Sequence, residues 1–170
     1  AALTAAGVRL VCSQYANSNL DIPALPGELY AAVTDRARNV VLDVGGDDRG
    51  AVALGRFAPD ILAEGNYEMT FVVNFFRPLT QDAAAALGVL REVEAASGIR
   101  CTGLVNNSNL GRATVADDVL GTLPRMEELM RLSGLPLLAT TCAAPLSGAL
   151  LGRVAGLTAV ALDREACYDA

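Results

Sequence analysis

The residues with the most chemistry to offer stand at the ends of apolar runs. Val40-Val41-Leu42-Asp43-Val44-Gly45-Gly46-Asp47-Asp48 carries a carboxylate to the tip of a hydrophobic stretch and follows it with two glycines. A carboxylate so placed can hold Mg²⁺ through water, and glycine N–H groups can face an anion with no side chain in the way. The same residues also read as a turn, with Asp47 or Asp48 capping the helix that follows. A second run, Thr102-Gly103-Leu104-Val105, ends in Asn106-Asn107-Ser108-Asn109. Its amides offer donor and acceptor together, as a purine edge requires, although Asx-turns account for clustered asparagines without a ligand. Asn74 and Arg77 end a third run, where a guanidinium can meet a carboxylate or phosphate in bidentate fashion or pair with Asp82. Thr141 and Cys142 end a fourth. Nothing in the sequence supplies Cys142 with a base, so it is read as a buried thiol and not as a nucleophile.

Composition removes many alternatives. The chain has 170 residues with 52% hydrophobic and 19% charged, a formal net charge of −6, and no histidine. Without His there is no Ser-His-Asp or Cys-His hydrolase and no imidazole-ligated metal within this chain. All 13 basic residues are Arg, spread singly from Arg9 to Arg164. The absence of Lys excludes a lysine Schiff base and an intact G-x-x-x-x-G-K-[ST] phosphate loop in these residues. An acidic chain with no basic cluster lacks the electrostatic footprint for direct nucleic-acid binding. Cys12, Cys101, Cys142 and Cys167 form no C-x-x-C pair and are expected to be free thiols, which points to a reducing, cytoplasmic setting. The charge-free stretch from Leu132 to Gly152 is long enough to span a bilayer, but Pro136 and Pro145 break it, so no membrane span is expected.

The elements that must position these residues follow from periodicity. Six short apolar runs, Val8–Cys12, Val40–Val44, Met69–Phe76, Cys101–Val105, Leu135–Thr140 and Leu157–Leu162, alternate with amphipathic stretches. That is the pattern of strands in a buried parallel sheet linked by helices. Helices are predicted from Pro26 to Arg36, through Val52, Leu54 and Phe57, from a Thr80 cap to Gly98, and from Pro124 to Leu132. Ala1 to Gly7 reads as a last helical turn with Gly7 just past its end. Glu94 interrupts the apolar stripe of Ala83, Ala86, Leu87, Leu90 and Val93, as though the last turn ran beyond the core. The fold expected is a single α/β domain, a doubly wound, mostly parallel sheet with helices on both faces. Ligands of such sheets bind beyond the carboxyl ends of the strands, which gathers Asp43 to Asp48, Asn74 to Thr80, Asn106 to Asn109 and Thr141 to Pro145 on one edge.

Taken together, Val40 to Gly46, Gly103 to Asn107 and Pro136 to Pro145 resemble three motifs of the CobQ/CobB/MinD/ParA-type P-loop ATPases (SIMIBI class). The first is similar to that family's Walker B strand and switch, the second to its strand ending in an asparagine that reads adenine, and the third to the strand and loop that close over the base. The resemblance implies a three-layer α/β/α fold, ATP and Mg²⁺ as cofactors, and a homodimer or protein partner. It assigns Asp43 to Mg²⁺, the reading of the base to Asn106 with Asn107 as its neighbour, and Asp43, Gly45, Gly46, Asn106, Asn107 and Thr141 to the nucleotide. The family's phosphate loop has no counterpart in these residues, so the resemblance also implies an upstream strand and helix that would carry it, and ATP hydrolysis only with that loop. Two alternatives stand beside it. One is a non-catalytic protein-interaction domain that kept the fold and lost the phosphate site. The other is a small-molecule enzyme on a Rossmann-like sheet with Gly45-Gly46 as anion loop, although these glycines do not make G-x-G-x-x-G.

Overall fold

A computed structural model describes residues 2–11, 27–45 and 48–160. Its elements run α1 (Ala2–Ala5), α2 (Gly27–Thr34), α3 (Asp48–Gly55), α4 (Ala58–Glu64), β1 (Thr70–Val73), α5 (Ala83–Ser97), β2 (Gly103–Asn106), α6 (Ala116–Ser133), β3 (Leu137–Ala143), α7 (Ser147–Leu150) and β4 (Leu157–Val160), with three short 3₁₀ turns between them. The strands form one four-stranded sheet in the order β1-β2-β3-β4, every pair parallel. This is the mostly parallel α/β class that the alternating runs predict. The chain divides into two compact units, residues 1–67 with 96–99, and residues 68–95 with 100–170. Among the described residues no helix is long and apolar enough to cross a membrane.

The second unit contains the sheet. Parallel pairing puts Phe71 beside Leu104 and Val73 beside Asn106, and carries the row on to Leu137 and Thr140. Phe71, Val73, Leu104 and Leu137 pack under Ala86 and Leu90 of α5 and Met126 and Leu129 of α6. Burial of a large side chain of this kind is worth about 1.5–3 kcal/mol relative to leaving it in water. A smaller cluster of Val119, Cys142, Leu150 and Val154 joins α6 to α7 and β3. A register irregularity between Leu104 and Val105 leaves Leu138 opposite no residue of β2. Leu138 instead lies over Gly103, where a Cβ would come within 2.6 Å of its side chain, so a larger residue there would push the Leu138 side chain aside.

The opposite face of the sheet carries Val72, Val105, Ala139 and Thr141 by the alternation of side chains along each strand. It is far less covered: Val72 is 56% exposed and Leu138 49%.

The first unit is helical. Tyr30 of α2 packs at a tilt against Phe57, with ring centroids 4.6 Å apart and ring planes 52° apart, and Ala51, Leu54, Phe57, Ala58 and Ile99 are buried. Helix α1 closes as expected, with Val8 N–H donating to Leu3 O at 2.9 Å, Gly7 N–H to Thr4 O at 3.1 Å, and Gly7 at φ +78°.

Several expectations are corrected. Residues 8–11 and 40–45 are not strands, and Val41 is 94% exposed. A strand needs a neighbour for its N–H and C=O groups, and among the described residues the sheet begins at β1. Asp82, not Thr80, caps α5: its carboxylate accepts from Ala85 N–H at 2.8 Å, while the Thr80 hydroxyl donates to Asn74 O at 2.6 Å. Helix α6 starts eight residues before Pro124 and runs through it. Strand β3 continues to Ala143, so Thr141 and Cys142 are strand residues. Pro136 precedes that strand and contributes only its carbonyl, to Leu104 N–H at 2.9 Å. Residues 12–26, 46–47 and 161–170, which include Cys12, Gly46, Asp47 and Cys167 and the polar loop expected from Ser13 to Asp21, lie outside the described residues.

Glu94 is no overhang. It is buried, with Oε1 accepting from Cys101 N–H at 2.9 Å and Oε2 from Arg100 at 3.0 Å and Arg91 at 3.3 Å. The last turn of α5 is thereby fastened to the segment that enters β2, and the buried charge is compensated by both guanidinium groups.

Candidate functional site

The carboxyl ends of β1, β2 and β3 lie on one edge because the strands are parallel. Asn106 and Asn107 straddle the end of β2 and point to opposite faces. Asn106 turns into the covered face and is fully buried. Its Nδ2 donates to Thr122 Oγ1 of α6 at 2.9 Å, and its Oδ1 accepts from Ser108 Oγ at 2.7 Å and Ser108 N–H at 3.2 Å. Ser108 Oγ in turn accepts from Phe75 N–H at 3.0 Å, and the Thr122 hydroxyl donates to Val119 O at 2.6 Å. Asn106 therefore ties three elements together, and the expectation that it reads a base is corrected: its amide is occupied and out of reach. Thr140, its cross-strand neighbour, is also fully buried and has a hydroxyl with no partner among the described residues.

Asn107 turns the other way and is exposed. The Thr141 hydroxyl donates to its Oδ1 at 2.6 Å, and its own backbone carbonyl accepts from Asn109 Nδ2 at 2.8 Å. With the oxygen engaged, the carboxamide is held in one orientation and its Nδ2 donors are left toward solvent. These two side chains stand in a groove of about 400 Å³ lined also by Val72, Val105, Asn109, Gly111, Thr114, Ala143 and Val160. No charged side chain lines it. Its polar groups are amides and hydroxyls, and the rest of its lining is apolar.

The loops around the groove are locked to one another. Asn74 Nδ2 donates to Asn109 O at 3.0 Å, and Asn74 Oδ1 accepts from Asn109 N–H at 3.3 Å and Phe76 N–H at 3.0 Å. Asn109 Oδ1 accepts from Gly111 N–H at 3.1 Å, and the Thr114 hydroxyl donates to Gly111 O and accepts from Leu110 N–H, both at 2.8 Å. Asn74 is thus a brace between β1 and β2, a role that an amide after an apolar run does not reveal by itself. Thr114 escaped the sequence reading for the same reason, since loop residues carry no periodicity, and Asn109, expected at the ligand edge, serves in the brace.

Of the expected nucleotide-binding residues, Asn106, Asn107 and Thr141 come together at this edge. Asp43 and Gly45 belong to the first unit, where both are exposed, and Gly46 is outside the described residues. A Cβ on Gly50 would lie 2.5 Å from Gly45 O, so this close approach of backbone requires glycine at position 50. Asp43 supplies one carboxylate oxygen donor set. Among the described residues no three His, Cys, Asp or Glu side chains are grouped to hold a metal.

Cys101 and Cys142 are free and buried, as expected. Burial, with the Glu94 carboxylate second, pushes the Cys101 thiol up to about 11, and burial raises Cys142 as well. Neither is a thiolate at neutral pH, which agrees with the absence of a base. The chain matches no family model, and neither the curated proteins nor the solved structures contain a significant match to it.

Proposed function

We propose that this chain is a nucleotide-binding domain, with the groove at the ends of β2 and β3 as the base site. The observation that carries the reading is the Asn107–Thr141 pair: a hydroxyl fixes the amide oxygen, leaving amide N–H donors above an uncharged floor. That arrangement suits the acceptor edge of a heteroaromatic ring. In this reading Asn107 takes the role that the resemblance gives Asn106. The ligand is ATP, as the resemblance implies, and no role is assigned to Asp43, Gly45 or Gly46. Hydrolysis would need a lysine-bearing phosphate loop that these 170 residues do not contain.

The test is thermal unfolding of the protein with ATP, with and without Mg²⁺. A ligand held only by the folded state adds about 2.7 kcal/mol at a hundredfold excess over its Kd. The Asn107→Ala variant is expected to lose most of that stabilisation while unfolding normally without ligand.

The second reading is a protein-interaction domain on the same fold, engaging another protein or a second copy of the chain. It draws on the apolar sheet face where Val72 and Leu138 are half exposed. A protein whose stability is indifferent to ATP, and equally so in Asn107→Ala, would favour it.

A further inference from the structure

Strand β1 is an edge: it pairs with β2 alone. Hydrogen bonds fix which of its backbone groups face β2. Met69 N–H donates to Thr102 Oγ1 at 3.0 Å, Met69 O accepts from Thr102 N–H at 2.8 Å, and Val73 O accepts from Asn107 N–H at 2.8 Å. Alternation then turns the N–H and C=O groups of Glu68, Thr70 and Val72 away from β2. All three residues are exposed, and among the described residues none of these outward groups has a partner. Asn74, next in the row, differs: its carbonyl already accepts from Arg77 N–H at 3.1 Å and from the Thr80 hydroxyl at 2.6 Å. The free row is therefore 68, 70 and 72, centred on Thr70.

The core is unfinished along the same edge. Met69 and Phe71 pack on the main cluster yet stay half-buried, whereas Gly103 and Leu104 of β2 are buried. Edge strands that stay single are guarded by lysine, proline, a bulge or a covering element. Glu68-Met69-Thr70-Phe71-Val72-Val73 has no proline and no lysine, Glu68 is its one charge, and β1 runs along β2 without a register shift.

We infer that β1 pairs antiparallel with β1 of a second copy of this chain, about a twofold axis at Thr70, joining two four-stranded sheets into one. A twofold contact is self-complementary, and this row matches itself. With Thr70 opposite Thr70 of the second copy and Glu68 opposite Val72, each free N–H meets a free C=O, since such pairs exchange both bonds. Between them Met69 comes opposite Phe71 on the covered face, where a thioether against an aromatic ring completes the half-buried edge of the core. The two Glu68 residues stand at opposite ends of the ladder, roughly 14 Å apart along the strand and beyond the Debye length of about 10 Å at 0.1 M salt. Moving the axis to Glu68 sets carboxylate against carboxylate. Moving it to Val72 brings the spent Asn74 carbonyl into the ladder. The pairing is independent of the base-site reading, because it involves no nucleotide.

The experiment is sedimentation of the whole protein over a range of concentrations, without nucleotide, for the unaltered chain, Thr70→Lys, Thr70→Glu and an equal mixture of these two variants. The unaltered protein is expected to pass from monomer to dimer as concentration rises. Each variant sets like charges opposite one another at the axis and removes the Thr–Thr pair, so its dimer is expected to be about tenfold weaker. In the mixture Lys meets Glu, and the dimer is expected to return. Both substitutions change an exposed side chain, so at a dilution where all are monomers the variants are expected to unfold at the temperature of the unaltered protein. Thr158→Lys, on the open face of β4 beside Thr141, is expected to keep the dimer. A protein that is monomeric at every concentration overturns the inference. So does a dimer that both Thr70 variants leave intact, and so does one that Thr158→Lys abolishes, since the contact would then lie on the open sheet face. Weakening in both variants with no recovery in the mixture overturns the axis at Thr70.

Discussion

Two runs of this chain look alike on paper and differ in space. Val40-Val41-Leu42-Asp43-Val44 has the greater share of β-branched residues, and Cys101-Thr102-Gly103-Leu104-Val105-Asn106 contains a glycine and ends in an amide. By propensity the first is the better strand. Yet the second is β2, paired on both sides in the middle of the sheet, and the first is not a strand at all. Leu104 is completely buried and Val41 is 94% exposed. Hydrophobicity marks a segment as able to be a buried strand, but pairing and coverage decide whether it is one. Residues 103–106 have β1 and β3 for neighbours and α5 and α6 above them, and Glu94 pins their approach through Cys101 N–H.

The contrast can be broken by substitution. The largest effect is expected at Leu104→Ala, which opens a cavity between the sheet and the two helices and costs about 2–5 kcal/mol in denaturant unfolding. A loss under 1 kcal/mol would mean that this face is not packed as described.

A middling effect belongs to Cys101, at the entrance to the same strand. Its thiol is held above the ordinary value of 9.0, at about 11, so the folded state prefers the protonated form. Stability from this group is complete below pH 9, where folded and unfolded chains both keep the proton. It declines as pH rises toward 11, because the unfolded chain loses its proton first. The integrated loss is on the order of 2 kcal/mol. The slope difference between the unaltered protein and Cys101→Ala over pH 9–11 measures it, and parallel curves would remove the shift.

The smallest effect is expected at Val41→Ala, within about 0.5 kcal/mol, because an almost fully exposed side chain has no burial to lose. A cost of 2 kcal/mol or more would show that residues 40–44 are buried in the folded protein after all, and would erase the contrast with β2.

The same lesson separates Asn106 from Asn107. Adjacent and chemically identical, they were indistinguishable in the sequence as readers of a ligand. One residue of strand alternation sends the first to Thr122 and Ser108 inside the protein and the second to Thr141 and the groove. A signal for the buried network did exist. Thr122 falls at helical spacing among Val119, Met126 and Leu129, on the buried stripe of α6, and a polar residue there needs a partner inside. Glu94 carried the same signal on α5. The brace through Asn74 and Asn109 had none, because it joins loops from two different crossovers.

By itself the sequence determined the class of the fold, four of its parallel strands to within a few residues, the principal helices, and the free state of Cys101 and Cys142. All of these follow from local periodicity, helix-end chemistry and composition, which act over a few neighbouring residues. Tertiary structure decided which apolar runs are strands, where α6 begins, which of two asparagines faces the groove, and that Glu94 is a buried anchor. Each of those depends on what lies across a strand pair or beneath a helix. Such partners are distant in the chain, so their energy enters only once the fold has brought them together.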